Sequence, residues 1–188
     1  RPLHPHPSRK ATTWKSNVAW SQADEGGIQL WTIDDPLLEA LRFLTLSDGD
    51  TLFLSTDKDA NLPRFRAHMT PNEVVEFFVA SLKSVSGGVD THQLAKGMVQ
   101  PAGIRAGSIN AATIDVKNLR PADFGRLPGF RFDFSFLSKE GLERQGIAFG
   151  SIHEGKLLLM VYSGTREYYF DKRKQDVETI FSSVELVK

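Results

Sequence analysis

Apolar and polar residues alternate along residues 130–136, which predicts a half-buried antiparallel strand. Residues 157–162 are apolar at every position, as expected for a central strand that is covered on both faces. With residues 145–152 they predict a hairpin that turns at His153-Glu154-Gly155. The alternating strand has a phenylalanine face and a polar face: Phe130, Phe132, Phe134 and Phe136 on one, Arg131, Asp133 and Ser135 on the other.

Two helices are predicted from capping residues and from apolar positions at helical spacing. Thr70-Pro71-Asn72-Glu73 is a capping box, in which Thr70 and Glu73 satisfy each other's backbone amides, and Gly87-Gly88 ends that helix. A last helix is expected to begin with Asp171 as its cap. The buried stripes of the two helices are Val74, Phe77, Phe78, Leu82 and Val85, and Val177, Ile180, Phe181 and Val184.

The N-terminal third predicts a hairpin and a further helix. Residues 14–20 and 28–33 have strand composition and flank the turn at 24–27. Asp34-Asp35-Pro36 then resembles a helix start, and leucines follow at helical spacing: Leu37, Leu38, Leu41 and Leu44. Shorter strands are expected at 51–54 and 108–116.

These elements together predict an α+β fold: a twisted antiparallel sheet, two main helices packed on it and an N-terminal β-hairpin. We expect both helices on the same face, covering the phenylalanine residues. Residues 13–188 are expected to form a single domain. Residues 1–12 are basic and rich in proline, which predicts a flexible, extended tether.

Composition excludes several classes of function. The 188 residues contain 23 Lys plus Arg and 23 Asp plus Glu. The chain therefore has no net positive charge that would favour binding of nucleic acid. The absence of cysteine excludes disulfides, thiolate metal sites and a cysteine nucleophile within these residues. No apolar run approaches the roughly 20 residues of a membrane-spanning helix. We therefore expect membrane contact only through an N-terminal anchor outside this sequence.

The motifs predict no catalytic residues, no metal site and no cofactor. His4 and His6 are a flexible pair that leaves coordination incomplete. The segment from Asp57 to Asn61 resembles a calcium loop but lacks its glycine and its terminal glutamate. Lys172-Arg173-Lys174 opens the last helix and is interpreted as a solvated helix start. A hydrolase whose triad comes from distant residues is the alternative to a non-enzymatic function.

A group of aromatic residues beside arginines is the candidate binding site. Tyr162, Tyr168 and Tyr169 are expected to lie together with Arg166 at one end of the last hairpin. The functional hypothesis adds Arg131, so that aromatic side chains form the walls and arginines the base of a recognition site. Core packing of the tyrosines, and weak surface ion pairs of Arg131, are the competing interpretation.

Five motifs follow one another along the chain: Asp35-Pro36-Leu37-Leu38, Pro63-Arg64-Phe65-Arg66-Ala67-His68-Met69-Thr70-Pro71-Asn72-Glu73, Leu127-Pro128-Gly129-Phe130-Arg131-Phe132, Tyr168-Tyr169-Phe170-Asp171 and Ser182-Ser183-Val184. Their order resembles a group of uncharacterised lipoprotein-like proteins of Gram-negative bacteria, and the arrangement of elements is similar to the fold of the PsbP photosystem subunit. The resemblance brings no catalytic residues. It implies an export leader that ends at a lipidated cysteine, and hence a periplasmic or outer-membrane-anchored location. The expected function is non-enzymatic binding of an envelope protein or a small apolar ligand.

Overall fold

A computed structural model describes residues 4–7, 12–16, 20–25, 28–33, 39–52, 54–55, 62–84, 98–99, 111–137 and 141–186. Twelve strands and two α-helices lie in these ranges. In chain order they are β1 (His4–Pro7), β2 (Thr12–Ser16), β3 (Ser21–Glu25), β4 (Ile28–Thr32), β5 (Glu39–Leu46), β6 (Leu54–Ser55), α1 (Pro71–Ser84), β7 (Met98–Val99), β8 (Asp115–Pro121), β9 (Phe130–Leu137), β10 (Glu143–His153), β11 (Lys156–Thr165), α2 (Asp171–Ser182) and β12 (Glu185–Leu186).

A seven-stranded antiparallel sheet in the order β3-β4-β5-β11-β10-β9-β8 forms the centre of the fold. The predicted α+β class and the alternating phenylalanine strand are confirmed, since β9 runs from Phe130 to Leu137 with its four phenylalanines buried. Strand β11 lies between β5 and β10, and all of its residues after Lys156 are buried. Its uniformly apolar sequence therefore marks a central strand, as predicted.

The two helices lie on opposite faces of this sheet. Leu157, Leu159 and Val161 of β11 belong to a core with the apolar side chains of α1 and the phenylalanines of β9. Leu158, Met160 and Tyr162 belong to a second core with the apolar side chains of α2. Because successive residues of a strand point to opposite faces, the two cores are separate layers. The expectation that both helices share the phenylalanine face is wrong, because the apolar side chains of both faces of β11 need a cover.

The capping box of α1 is confirmed. The Glu73 amide donates to Thr70 Oγ1 at 3.3 Å, and the Thr70 amide donates to Glu73 Oε1 at 3.2 Å. Helix α1 begins at Pro71 and buries Val74, Phe77, Phe78 and Leu82 against the sheet. The other predicted members of this helix, Val85 and Gly87-Gly88, lie outside the described residues.

The helix predicted after Pro36 is wrong over the described residues, because Glu39–Leu46 form strand β5. This strand pairs with β11 and β4. Leu41 packs in the α2 core and Leu44 in the α1 core. Both faces are buried, so the strand has no alternation, and the three-residue spacing of its leucines only resembles a helical stripe.

The N-terminal region divides between two sheets. Strands β3 and β4 pair as a hairpin that extends the main sheet, so an N-terminal hairpin is confirmed, but its first strand is Ser21–Glu25 and the prediction of residues 14–20 for that strand is wrong. Thr12–Ser16 instead pair with β1 and β12 in a separate small sheet. His4–Pro7 of the segment predicted as a tether thus form an edge strand, where proline is tolerated. The flexibility of the tether and its boundary at residue 12 stay predictions.

Two smaller corrections concern strand and helix starts. The expected strand at 108–116 is replaced, in its described part, by a 3-10 turn over Ala111–Thr113 and the start of β8 at Asp115. A π-helical turn, Arg166–Phe170, leads directly into α2. Asp171 is therefore the first residue of α2 rather than its cap, and it continues a helical turn that has already begun.

Candidate functional site

The π-helical turn brings four of the five predicted binding residues together. Tyr168 and Tyr169 make an edge-on ring contact with centroids 4.9 Å apart. The Tyr162 hydroxyl donates to the Tyr169 carbonyl oxygen at 3.0 Å. Arg166 begins the same turn and donates to Glu143 Oε2 at 2.7 Å. This hydrogen bond holds the pKa of Arg166 above its usual value.

A glycine permits the close approach of this turn to strand β11. A Cβ atom at Gly164 would lie 3.1 Å from the Tyr162 hydroxyl oxygen and 3.2 Å from the Tyr169 Cβ. Only a residue without a side chain leaves this approach undisturbed. The turn is therefore packed directly on the sheet.

Three exposed apolar side chains lie at the end of the sheet where this turn begins. Leu137, Leu142 and Tyr168 are 36%, 38% and 54% exposed. Leu137 is the cross-strand partner of Glu143, which binds Arg166, so these side chains lie at the same end of the sheet. We call Leu137, Leu142, Arg166 and Tyr168 the tyrosine patch. Lys172 covers the ring of Tyr168, with its Nζ 4.6 Å from the ring centroid.

Tyr162 supports the patch from below and is not accessible itself. Its side chain is completely buried, and its hydroxyl lies 3.4 Å from Glu39 Oε2. Burial, and next the Glu39 charge, raises the pKa of Tyr162 far above its usual value. Glu39 in turn accepts from Arg173 Nε at 3.0 Å. Tyr162 therefore belongs to a buried polar network that fixes the π-helical turn and α2 on the sheet.

Arg131 is the predicted site residue that the structure places elsewhere. It lies six residues along β9 from Leu137, a separation of about 20 Å at the rise of a strand. Its Nη1 and Nη2 donate to Glu178 Oε2 and Oε1 at 2.8 and 2.5 Å, and its guanidinium lies 5.5 Å from the centroid of the Phe181 ring. The pair raises the pKa of Arg131 and lowers that of Glu178. Arg131 thus joins β9 to α2.

Arg131 also lines a groove of about 250 Å³ between α2 and the strands β8, β9 and β10. The groove contains four cationic side chains and two carboxylates. These six residues, which we call the basic groove, are Lys117, Arg120, Arg131, Asp133, Lys174 and Glu178.

A β-bulge in β8 gives the groove its charge. Lys117 pairs with Asp133 and Arg120 with Arg131, so two residues of β8 stand opposite one of β9. The extra residue is accommodated at Asn118, whose φ is 60°. Both cations of β8 consequently face α2, whereas in a regular ladder Arg120 would point to the opposite face.

The sequence contained only a partial signal for these sites. Lys172-Arg173-Lys174 was interpreted as a solvated helix start, but its three cations have different environments. Lys172 contacts Tyr168, Arg173 is buried against Glu39, and Lys174 lines the basic groove. The solvated interpretation is therefore wrong for Arg173. The bulge has no clear signature in the sequence, because its register depends on the partner strand.

The titratable residues of the described ranges show no metal-binding cluster. No three or more of their His, Asp and Glu side chains lie close enough to hold an ion. His153 lies next to Glu154 in the turn between β10 and β11, with Nε2 and Oε1 3.6 Å apart. His4 lies in β1, and the Asp57 segment is outside the described residues. None of the described helices is long and apolar enough to cross a membrane.

Comparison with known proteins supports the fold. No protein-family profile and no curated protein sequence matches the chain. Among solved structures, cyanobacterial PsbP (CyanoP) from Synechocystis sp. PCC 6803 superposes with a TM-score of 0.59 at 14% identity, over 98% of this chain and 92% of that one. LpqN of Mycobacterium tuberculosis, involved in cell envelope biogenesis, has a TM-score of 0.48 at 13% identity, over 100% of this chain and 91% of that one. The chain therefore has a PsbP-like fold.

Proposed function

We propose that the chain is a non-enzymatic binding domain of the cell envelope, which docks a protein partner through the tyrosine patch. One observation carries the proposal: among the residues whose side chains the structure describes, the three exposed large apolar ones all lie at the end of the sheet where Arg166 binds Glu143. Tyrosine and arginine are enriched among the residues that contribute most to protein interfaces, and the two leucines add apolar area beside them.

The rigidity of the patch supports docking. Tyr168 extends from a turn that is held by the hydrogen bond from Tyr162 to Tyr169, so little conformational freedom is lost on binding. Arg166 is exposed but already oriented by Glu143. A partner that buries this end of the sheet would meet an aromatic ring with a charged rim. Such a surface suits a protein better than a small apolar ligand, which requires a concave apolar cavity.

The envelope location rests on the sequence. The N-terminal segment is basic and rich in proline, and the order of motifs resembles lipoprotein-like proteins. Fractionation of cells that express the full-length gene tests this part of the proposal. Recovery of the protein with the cytoplasm would contradict it, whatever the result for the tyrosine patch.

Site-specific photo-crosslinking tests the docking surface. We expect a photoreactive residue at position 168 to crosslink one protein in intact cells, while the same residue at position 154 does not. Glu154 is a suitable control because it is exposed in the turn between β10 and β11, at the other end of these strands. An excess of the purified domain should prevent the crosslink in extracts, whereas a Tyr168→Ala/Arg166→Ala domain should not. Equal crosslinking at both positions, or equal competition by both domains, would overturn the proposal.

A further inference from the structure

We propose that the basic groove binds a doubly charged oxyanion of the phosphomonoester type. Four cations, Lys117, Arg120, Arg131 and Lys174, and two carboxylates, Asp133 and Glu178, give the groove a formal charge of +2. The site is separate from the tyrosine patch and does not depend on docking of a protein partner.

The carboxylates of the groove are already engaged within it. Glu178 is bound by both terminal nitrogens of Arg131. Asp133 Oδ2 accepts from Asn118 Nδ2 at 2.8 Å. Across the ranges that the structure describes, no carboxylate lies within ion-pair distance of Lys117, Arg120 or Lys174. These three side chains retain donors for a ligand.

The bulge in β8 brings like charges together. Arg120 and Arg131 are directly opposite each other across the strands, an arrangement that is unfavourable without a counter-charge. The Glu178 carboxylate is hydrogen-bonded to Arg131, while its charge acts on Arg120 and Lys174 without a direct contact. Arg120 is oriented by its own strand, since its Nη1 donates to the Asn118 carbonyl oxygen at 2.7 Å. An anion beside Arg120 would supply a counter-charge in direct contact with this guanidinium.

The chemistry of the groove selects the ligand class. A phosphomonoester carries a charge of about −1.5 to −2 at neutral pH, which matches the +2 of the groove, whereas one carboxylate neutralises only half of it. The guanidinium of Arg120 can bind two oxygens of a phosphate in its plane, and lysines act as point charges around it. The side chains of Ile147 and Phe170 form the buried apolar base of the groove, and they are 2% and 9% exposed.

A second explanation of the same residues makes the inference testable. Strand β8 is an edge of the sheet, and a bulge, cationic side chains and Pro121 are devices that protect an edge from pairing with other chains. Edge protection requires no ligand. Lys174 distinguishes the two explanations because it lines the groove from α2 and does not belong to the edge strand.

Calorimetric titration of the purified chain with phenyl phosphate tests the proposal. We expect saturable binding that weakens about tenfold or more in Arg120→Gln/Lys174→Gln, since each change removes a charge-assisted hydrogen bond. The matched control is Arg126→Gln/Lys156→Gln, which removes the same charge from exposed residues outside the groove. Its affinity should equal that of the wild type. Binding should also weaken from about pH 7 to about pH 5, as the phosphate gains a proton, while binding of sulfate should not.

A second experiment, with lipid vesicles, identifies whether the phosphate belongs to a lipid headgroup or to a soluble molecule. Co-sedimentation with phosphatidylcholine vesicles that contain phosphatidic acid, lost in the groove variant only, would identify a lipid headgroup as the source. Binding of phenyl phosphate without vesicle binding would indicate a soluble phosphomonoester. Absence of saturable binding to any phosphate, equal weakening in both double variants, or equally tight binding of acetate would overturn the inference and leave edge protection as the role of these residues.

Discussion

Arg173 of α2 and Glu39 of β5 form an ion pair inside the protein, with Nε and Oε2 3.0 Å apart and side chains that are 9% and 0% exposed. Removing one member of such a pair leaves an uncompensated charge in the interior, which costs about 3–5 kcal/mol. We therefore expect Glu39→Gln to lower the free energy of unfolding by an amount near this range, measured by chemical denaturation.

A double variant separates the charge penalty from lost packing. Glu39→Gln/Arg173→Met removes both charges, so we expect it to be more stable than Glu39→Gln alone. A double variant that is less stable than Glu39→Gln alone would show that the unpaired charge of Arg173 is not what destabilises Glu39→Gln.

The core beneath α1 gives a second prediction. The Phe78 ring lies 5.3 Å from that of Phe132 and 5.0 Å from that of Phe134. Phe78→Ala leaves a cavity there and is expected to cost about 3–5 kcal/mol. Thr70→Ala removes only a cap and should cost about 1 kcal/mol. A larger shift of the denaturation midpoint for Thr70→Ala than for Phe78→Ala would contradict the role of α1 as a core helix.

Strand β9 and the start of helix α1 were predictable because the sequence patterns that identify them are local. The alternation along β9 and the capping box of α1 are complete within a few consecutive residues, and tertiary contacts only reinforce them. Strand β5 shows the opposite case. Leu41 and Leu44 enter different cores, and Arg42 between them is buried as well, so burial on both faces erases the period that identifies a strand.

The candidate sites were predictable only where they are continuous in sequence. Arg166, Tyr168 and Tyr169 are neighbours along the chain, and their grouping was therefore visible. The basic groove combines β8, β9 and α2, and its charge depends on one extra residue near Asn118. A shift of one residue in register reverses the face of every following side chain, and only the paired strands reveal it.

The pair of Arg131 and Glu178 predicts a specific dependence of stability on pH. Its hydrogen bonds lower the pKa of Glu178, so the folded state releases this proton more readily than the unfolded state. The resulting stabilisation is complete above the unfolded pKa of about 4.3 and disappears as the pH falls through the lower, folded value. We expect the difference in unfolding free energy between the wild type and Glu178→Gln to be present at neutral pH and to vanish in acid.

The control for this pH dependence is Glu154→Gln. Glu154 is an exposed turn residue, and its replacement should leave the acid branch of the stability profile as steep as in the wild type. An acid branch of unchanged slope in Glu178→Gln would show that the contact with Arg131 does not stabilise the charged carboxylate.

Asp176 of α2 connects the small N-terminal sheet to the rest of the fold. Its carboxylate accepts from Ser16 Oγ at 2.7 Å and from Trp20 Nε1 at 2.8 Å. Because hydrogen bonds to a charged group are worth about 1.5–3 kcal/mol each, Asp176→Ala should ease local opening of β2. We expect the backbone amides of β2 to exchange hydrogen about ten to a hundred times faster than in the wild type. The exchange rates of the amides in β9, β10 and β11 should not change. Thr179→Ala is the matched control on the same helix, because the Thr179 hydroxyl donates to the Gln175 carbonyl oxygen within α2 at 3.2 Å. Faster exchange throughout the main sheet would mean that Asp176 stabilises the whole domain. Unchanged exchange in β2 would mean that other contacts, such as the hydrogen bonds between Ser183 and Lys15, hold this strand in place.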